Sequence, residues 1–293
     1  MSTPISFAFF GTGALAESVL ASLVRNGYPP NLIVTKPDAP SGRHMHMTSP
    51  HIKVWGDMKE IPVLQPNTLD DVFISHLPPI TFDLFIVASY GKIIPETILS
   101  IPKHGVLNVH PSLLPEYRGP SPIESVLLDG KITTGVSIMQ LDKEMDHGPI
   151  LVQNAFMINP EETSGTLEVR AGQLGGDLLS QILPSYIDGS LIPQEQDHEK
   201  ATICKKITKE MGEIKLTNSA DDLRRKFRAL TPWPSVYFFI THHDKQIRVK
   251  VTGVDLVTPF ENTVTAEEII TSVIPEGKKE MDFESFKRGY MGS

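Results

Sequence analysis

The sequence is poor in the residues that build covalent or metal-clamped scaffolds. It holds one cysteine, Cys204, among 293 residues. A lone thiol cannot close an intramolecular disulfide or furnish a cysteine-rich zinc site, and a reducing compartment is expected. His44 and His46 share a loop with Met45 and Met47, with no carboxylate or cysteine at ligand spacing, so no metal is expected. No apolar run approaches the length needed to span a bilayer, and no membrane association is expected. The opening "MSTPISFAFFG" lacks a basic flank and runs straight into a strand pattern, so no signal peptide is expected. Neither a G-x-S-x-G elbow nor a Walker G-x-x-x-x-G-K-[ST] loop occurs.

What is present is ordinary in amount and uneven in placement. The chain is 40% hydrophobic and 21% charged, the composition of a globular protein long enough for one large domain or two. Its net charge of −8 argues against indiscriminate coating of nucleic acid. Residues 1–200 carry about −10 and residues 201–293 about +2, so a polyanion could be touched at the C-terminal edge.

Hydrophobic periodicity alternates between strand and helix over the first half. Strands are expected at 5–11, 31–36, 82–90 and 105–110, with a short one in "IPVLQP"; helices at 14–27, 50–60, 67–77 and 121–130. Residues 37–50 read as a long polar loop, and Asn67 as the cap of the helix that follows. Runs 133–141 and 148–158 read as an antiparallel addition, and 163–189 as a long helix capped by Thr163 or Ser164. This order predicts a Rossmann-like, doubly wound α/β domain, mostly parallel, with its site at the carboxyl ends of the strands. Residues 190–206 are polar, aperiodic and read as a linker. Beyond it a helix and β-like runs predict a small β-rich domain. The expected division is thus 1–189, 190–206 and 207–293.

Two motifs compete for the site. Gly11, Gly13 and Ala16 fit the G-x-G-x-x-A spacing of a dinucleotide fold. The second strand, however, ends "IVTKPD", without an acidic residue in place for a ribose, so NAD is not expected. The second motif is "LNVHPSLLPEYRG". Residues two apart on a strand face the same way, so Asn108 and His110 project together from a strand end. An amide and an imidazole so placed can both reach one developing oxyanion, and Pro111 and Pro115 shape the loop beyond them. Asp142, Glu144 and Asp146 follow in a loop between strands; any of them could set the protonation of a nearby histidine, and spacing does not choose.

With these residues in view, "NVHPSLLPEYRG", "TGVSIMQLDKEMDHGPI" and "FDLFIVASYGKIIP" resemble the folate-dependent formyltransferases. "VTKPDAPSGR", "SPHIKV", "EETSGTL" and "ADDLRRKFRALTPWPSVYFFI" resemble the methionyl-tRNA branch of that family, and "PWP" marks the entry to its C-terminal domain. The resemblance implies 10-formyltetrahydrofolate as co-substrate and initiator methionyl-tRNA as acceptor, used by a monomer; with no targeting signal evident a bacterial cytoplasm is expected, an organelle being the alternative. It implies Asn108, His110 and Asp146 as the catalytic set. It places folate on Ser89, Tyr90, Gly91, Lys92, Ile93, Ile94 and Pro95, on Ser112, Leu113, Leu114 and Pro115, and on Leu141 and Asp142. Arg43 is the implied tRNA contact. The second domain would resemble an oligonucleotide-binding barrel, shortened because only "TPFENTVTA" separates Val257 from Glu267. A sugar-nucleotide N-formyltransferase, using the same donor and triad, is the alternative.

Overall fold

The structure is a computed structural model that describes residues 5–41, 46–259 and 263–292. The chain divides into two compact units. The first comprises Met1–Pro120, Thr134–Phe156 and Glu168–Cys204; the second Ser121–Thr133, Met157–Leu167 and Lys205–Ser293.

The first unit is built on a sheet of β1 (Phe7–Gly11), β2 (Leu32–Val34), β5 (Val63–Leu64), β6 (Leu84–Ala88), β7 (Val106–His110), β8 (Thr133–Gln140) and β9 (Ile150–Met157). Their order is β5-β2-β1-β6-β7-β8-β9. Pairing is parallel from β5 to β7, and β8 turns antiparallel to β7. The strand order reverses at β1 and β6, the switch point expected of a doubly wound sheet. Central strands of this kind are covered on both faces, which explains why β1 and β6 are apolar without alternation.

One face carries Ala8, Phe10, Phe85, Val87 and Val106 into a cluster with Phe73, Phe82, Tyr90 and Ile98. Across the other lie α1 (Ala14–Arg25) and α6 (Ser164–Ile187). Gly175 of α6 lets that helix approach β7 and β8 closely: a Cβ there would lie 2.5 Å from Val109 Cγ1 and 3.1 Å from Val136 Cγ1. Thr163 caps α6, its Oγ1 accepting from the Thr166 N–H at 3.5 Å.

Three local expectations change. Residues 37–50 are not all loop, because β3 (Ala39–Ser41) pairs antiparallel with β4 (His46–Thr48). After α2 (His51–Met58), the next helix, α3 (Asp71–Ser75), starts later than expected: Asp70, not Asn67, caps it by accepting from the Phe73 N–H at 3.1 Å. A short α4 (Glu96–Leu99) follows Pro95, in a stretch too brief to show periodicity. The polar segment 190–204 is packed into the first unit rather than strung free, with Gln196 and Cys204 buried.

The second unit contains α5 (Pro122–Leu128), α7 (Ala220–Leu230), α8 (Ala266–Ile269) and α9 (Phe283–Phe286). Its antiparallel sheet has the order β10-β11-β12-β13, formed by Tyr237–His242, Lys245–Val254, Ile270–Pro275 and Met281–Asp282. Phe238 of β10 sets its edge against Phe283 and Phe286 of α9, making the core of this layer. Four strands among the described residues fall short of the five of a full oligonucleotide-binding barrel, in line with the short sequence after Val257.

Candidate active site

β7 supplies the first two functional side chains. Its row Val106, Asn108, His110 shares one face: Val106 joins the apolar cluster, and the two polar residues continue the line. Both are buried, Asn108 to 8% exposure and His110 to 4%. Across the ladder Asn108 faces Met139 and His110 faces Ser137. Buried polar groups must be satisfied or they cost stability, so their partners define the site.

The partner is Asp146. Its Oδ1 lies 3.5 Å from Asn108 Nδ2 and 3.6 Å from His110 Nδ1. Its Oδ2 accepts from the Gly119 N–H at 2.8 Å. Asp142 and Glu144 do not join this group. Asp142 Oδ1 accepts from the Glu144 N–H at 2.8 Å and its Oδ2 pairs with His147 Nδ1 at 2.8 Å. Of the three acids left open by spacing, the fold brings only Asp146 to Asn108 and His110.

Hydrogen bonding orients His110. Its Nε2 lies 2.9 Å from the Tyr117 carbonyl, which can only accept, so Nε2 carries a hydrogen. Nδ1 then faces the Asp146 carboxylate. An imidazolium here points both N–H groups at acceptors. Three residues around the site hold left-handed backbone without being glycine: Ser89 at φ 48°, Tyr117 at φ 58° and Asp146 at φ 50°. Such conformations persist only where the surroundings hold them, and they cluster at functional sites.

Arg118, near the end of the "LNVHPSLLPEYRG" motif, and Gln196, which the sequence does not mark, complete the frame. The Arg118 guanidinium, buried, donates from Nε and Nη2 to Gln196 Oε1 at 3.2 and 2.7 Å. Gln196 Nε2 donates in turn to the carbonyls of Asp146 and Gly148 at 3.0 and 2.7 Å. Arg118 Nη2 also reaches His198 Nδ1 at 2.9 Å, and the His198 ring stacks on His147 with centroids 4.1 Å apart.

The segments expected to hold folate are not equivalent. Residues 89–95 follow β6. Tyr90 is buried among Phe10, Phe73 and Phe85, with Ile94 and Leu141 packed against the same cluster. Burial pushes the Tyr90 phenol up to about 12, and its hydroxyl has no hydrogen-bond partner among the described residues. Ile93 is almost wholly exposed. Lys92 Nζ donates to the carbonyls of Pro66 and Asn67; burial, with the nearby Lys36 charge, holds its pKa below the ordinary lysine value. In the 112–115 loop the polar atoms are spent on the loop and on neighbouring strands. Ser112 Oγ donates to Glu116 O at 2.7 Å, and Ser137 Oγ accepts from the Leu114 N–H at 3.1 Å. Leu113 and Pro115 are half-buried. Arg43, with His44, lies outside the described residues.

The glycine fingerprint has a packing explanation. A Cβ on Gly11 would lie 2.6 Å from Ala16 Cβ and 2.9 Å from the Ala88 carbonyl. At the start of α1, where a dinucleotide fold receives a pyrophosphate, Glu168 Oε1 accepts from the Leu15 N–H at 3.3 Å. Burial raises the Glu168 pKa, and the Leu15 bond opposes it. A carboxylate there repels an anion. Among the described residues no helix is long and apolar enough to cross a membrane, and no group of three or more histidine, cysteine or acidic residues could hold a metal ion.

Comparison with known proteins identifies the family. The family described as formyl transferase matches residues 5–183, and its C-terminal domain matches residues 206–263. A methionyl-tRNA formyltransferase of Chloroflexus aurantiacus is 42% identical over 79% of this chain and 75% of its own length. One from a Geobacillus strain is 36% identical, covering 97% of this chain and 94% of that one. Among solved structures, WlaRD, a sugar 3N-formyl transferase crystallised with dTDP and 5-N-formyl-THF, has the same fold. Its TM-score is 0.62 at 17% identity, with 96% of this chain and 98% of that one covered. On the family match and these identities, the chain belongs to the formyl transferase family, within its methionyl-tRNA formyltransferase branch.

Proposed function

We propose that the chain transfers the formyl group of 10-formyltetrahydrofolate to the α-amino group of methionine on initiator methionyl-tRNA. The observation that carries the reading is the meeting of Asn108, His110 and Asp146 at one buried point, in a chain whose relatives are named for that reaction.

Asn108 and His110 are the donors for negative charge that builds on the formyl oxygen. Asp146 is the third member: it holds His110 and supports removal of a proton from the attacking amine. Nε2 is engaged by Tyr117, so Nδ1 is the nitrogen that His110 would turn to that charge, and the amine's proton would leave through a water that Asp146 positions. A proton on Nδ1 lies beside the Asp146 carboxylate, and burial of both side chains strengthens that attraction.

The residues fit a folate. Tyr90, Ile94 and Leu141 offer an apolar wall. Residues 89–95 and 112–115, with Leu141 and Asp142, are assigned to hold it. When bound, the folate supplies an activated formyl carbon.

For the tRNA, the β10–β11 face of the second unit offers Phe239, 41% exposed, beside Arg248 and Lys250. Exposed aromatics interleaved with cations suit a nucleic-acid strand. Arg43 remains assigned to the acceptor stem by resemblance. A monomer in a bacterial cytoplasm, with the catalytic part at 1–189 and the tRNA-binding part at 207–293, completes the proposal.

The deciding experiment supplies 10-formyltetrahydrofolate with charged initiator tRNA in one reaction and a 4-amino sugar nucleotide in another, and follows formylation by mass. Formyl transfer to the methionyl-tRNA alone is expected. Transfer only to the sugar nucleotide would overturn the assignment.

A further inference from the structure

We infer that Gln196 is a positioning residue for formyl transfer, acting by fixing the backbone of Asp146; the inference rests on the role given to Asp146 above. Gln196 sits in the polar segment 190–204, where no periodicity marks it, yet it is only 6% exposed. Every polar atom of its amide is used. Oε1 accepts twice from Arg118, and Nε2 donates to the carbonyls of Asp146 and Gly148. One side chain therefore pins the backbone at Asp146 and again at Gly148, on either side of His147.

That restraint is needed. Asp146 holds φ 50°, and residues 143–145 just before it are exposed. A non-glycine residue keeps such a conformation only when its neighbours hold it. Arg118 decides which way the amide points. A guanidinium has no acceptor, so Oε1 must face it and the NH₂ must face the loop. Arg118 is held in turn by His198, whose ring stacks on His147; His147 pairs with Asp142 at the loop's other end. The hydrogen bonds of Gln196 go to Arg118 and to the carbonyls of Asp146 and Gly148, and among the described residues none goes to Asn108, His110 or the Asp146 carboxylate, so its effect passes through backbone position.

The variant Gln196→Glu separates positioning from simple space-filling. It keeps the size and the acceptors toward Arg118, and makes that interaction an ion pair. It loses only the two donors to the loop and sets a carboxylate oxygen against two carbonyls. The first readout needs no substrate: amide hydrogen exchange at two backbone N–H groups in the full chain. The Gly119 N–H donates to Asp146 Oδ2, and the Cys204 N–H donates to the Arg118 carbonyl, both at 2.8 Å. Gly119 is expected to exchange about tenfold faster or more in the variant while Cys204 keeps its protection. The second readout is formyl transfer. The value of kcat is expected to fall roughly 10- to 100-fold, the scale of a misplaced catalytic group, with KM for methionyl-tRNA little changed. Arg118→Lys, which retains charge but loses the fork, should shift Gly119 in the same direction by less, and it serves if the glutamate variant does not fold.

Wild-type exchange at Gly119 with wild-type kcat would overturn the inference. Loss of protection at Gly119 and Cys204 together would also overturn it, by showing local unfolding. If the unaltered protein formylates no methionyl-tRNA, the functional reading fails, while the exchange pattern still decides whether Gln196 positions Asp146.

Discussion

Asp146→Asn tests the site most directly. The substitution keeps the size of the side chain and an oxygen that accepts from the Gly119 N–H, so the loop should stay in place. What it removes is negative charge 3.6 Å from His110 Nδ1. For an imidazolium at that separation the attraction is about 4–5 kcal/mol at an effective dielectric of about 20. The Asp146 side chain is 13% exposed, and the asparagine dipole recovers part of the attraction, so the loss is smaller. A loss of about 3–4 kcal/mol, comparable to removing one oxyanion donor, corresponds to a fall in kcat of roughly 10²- to 10³-fold. KM for either substrate should move little, because the interaction removed is with the chain's own histidine. The assay is rapid-quench single turnover with charged initiator tRNA and saturating 10-formyltetrahydrofolate, alongside a thermal melt. A variant that melts like the wild type and turns over within about threefold of it would refute the charge argument.

Asn108→Ala and His110→Ala should each lower turnover by roughly 10²-fold, and a wild-type rate in either would remove that residue from the catalytic set. Glu168 gives a pH signature of stability. Its folded pKa is raised by burial, so its contribution is fully present below the ordinary carboxylate range and is lost as pH rises through the raised value. Glu168→Gln should therefore melt higher than the wild type at about pH 8, with the gap closing toward about pH 4; a gap that widens on acidification would contradict the burial argument. Tyr90→Phe removes a buried hydroxyl that has no partner among the described residues, so urea unfolding should show stability unchanged or higher by about 1–3 kcal/mol. A loss of stability would mean that the hydroxyl is satisfied. Replacing Arg248 and Lys250 with alanine should weaken methionyl-tRNA binding and flatten its salt dependence by about 0.7–0.9 for each phosphate no longer neutralised, leaving the folate KM alone; an unchanged salt slope would move the tRNA surface elsewhere.

Some of this protein is legible one strand at a time. The row Val106, Asn108, His110 follows from the two-residue period of a strand, a local property that any window of five residues displays. The apolar runs of β1 and β6 announce a sheet covered on both faces, and the antiparallel return after residue 133 is readable from the two runs around a charged loop. Other features lie below that resolution. The pair β3 and β4 is built from two strands of three residues each, one of them holding Pro40, too short to carry an alternation to read. Asp70 displaces Asn67 as a cap because one hydrogen bond, not composition, chooses among neighbouring polar residues.

Residue order alone settles the succession of strands and helices, the shared face of Asn108 and His110, and the limits set by a single cysteine. Periodicity and composition are sums over near neighbours, and these features are of that kind. The selection of Asp146 over Asp142 and Glu144 belongs to the folded chain, because it depends on a left-handed residue meeting a strand 38 positions away. Folding also brings Gln196 from an aperiodic segment to the Asp146 backbone, and sets Glu168 at the start of α1 across 153 residues. Those outcomes rest on single hydrogen bonds between distant parts of the chain, and such bonds leave no period in the sequence.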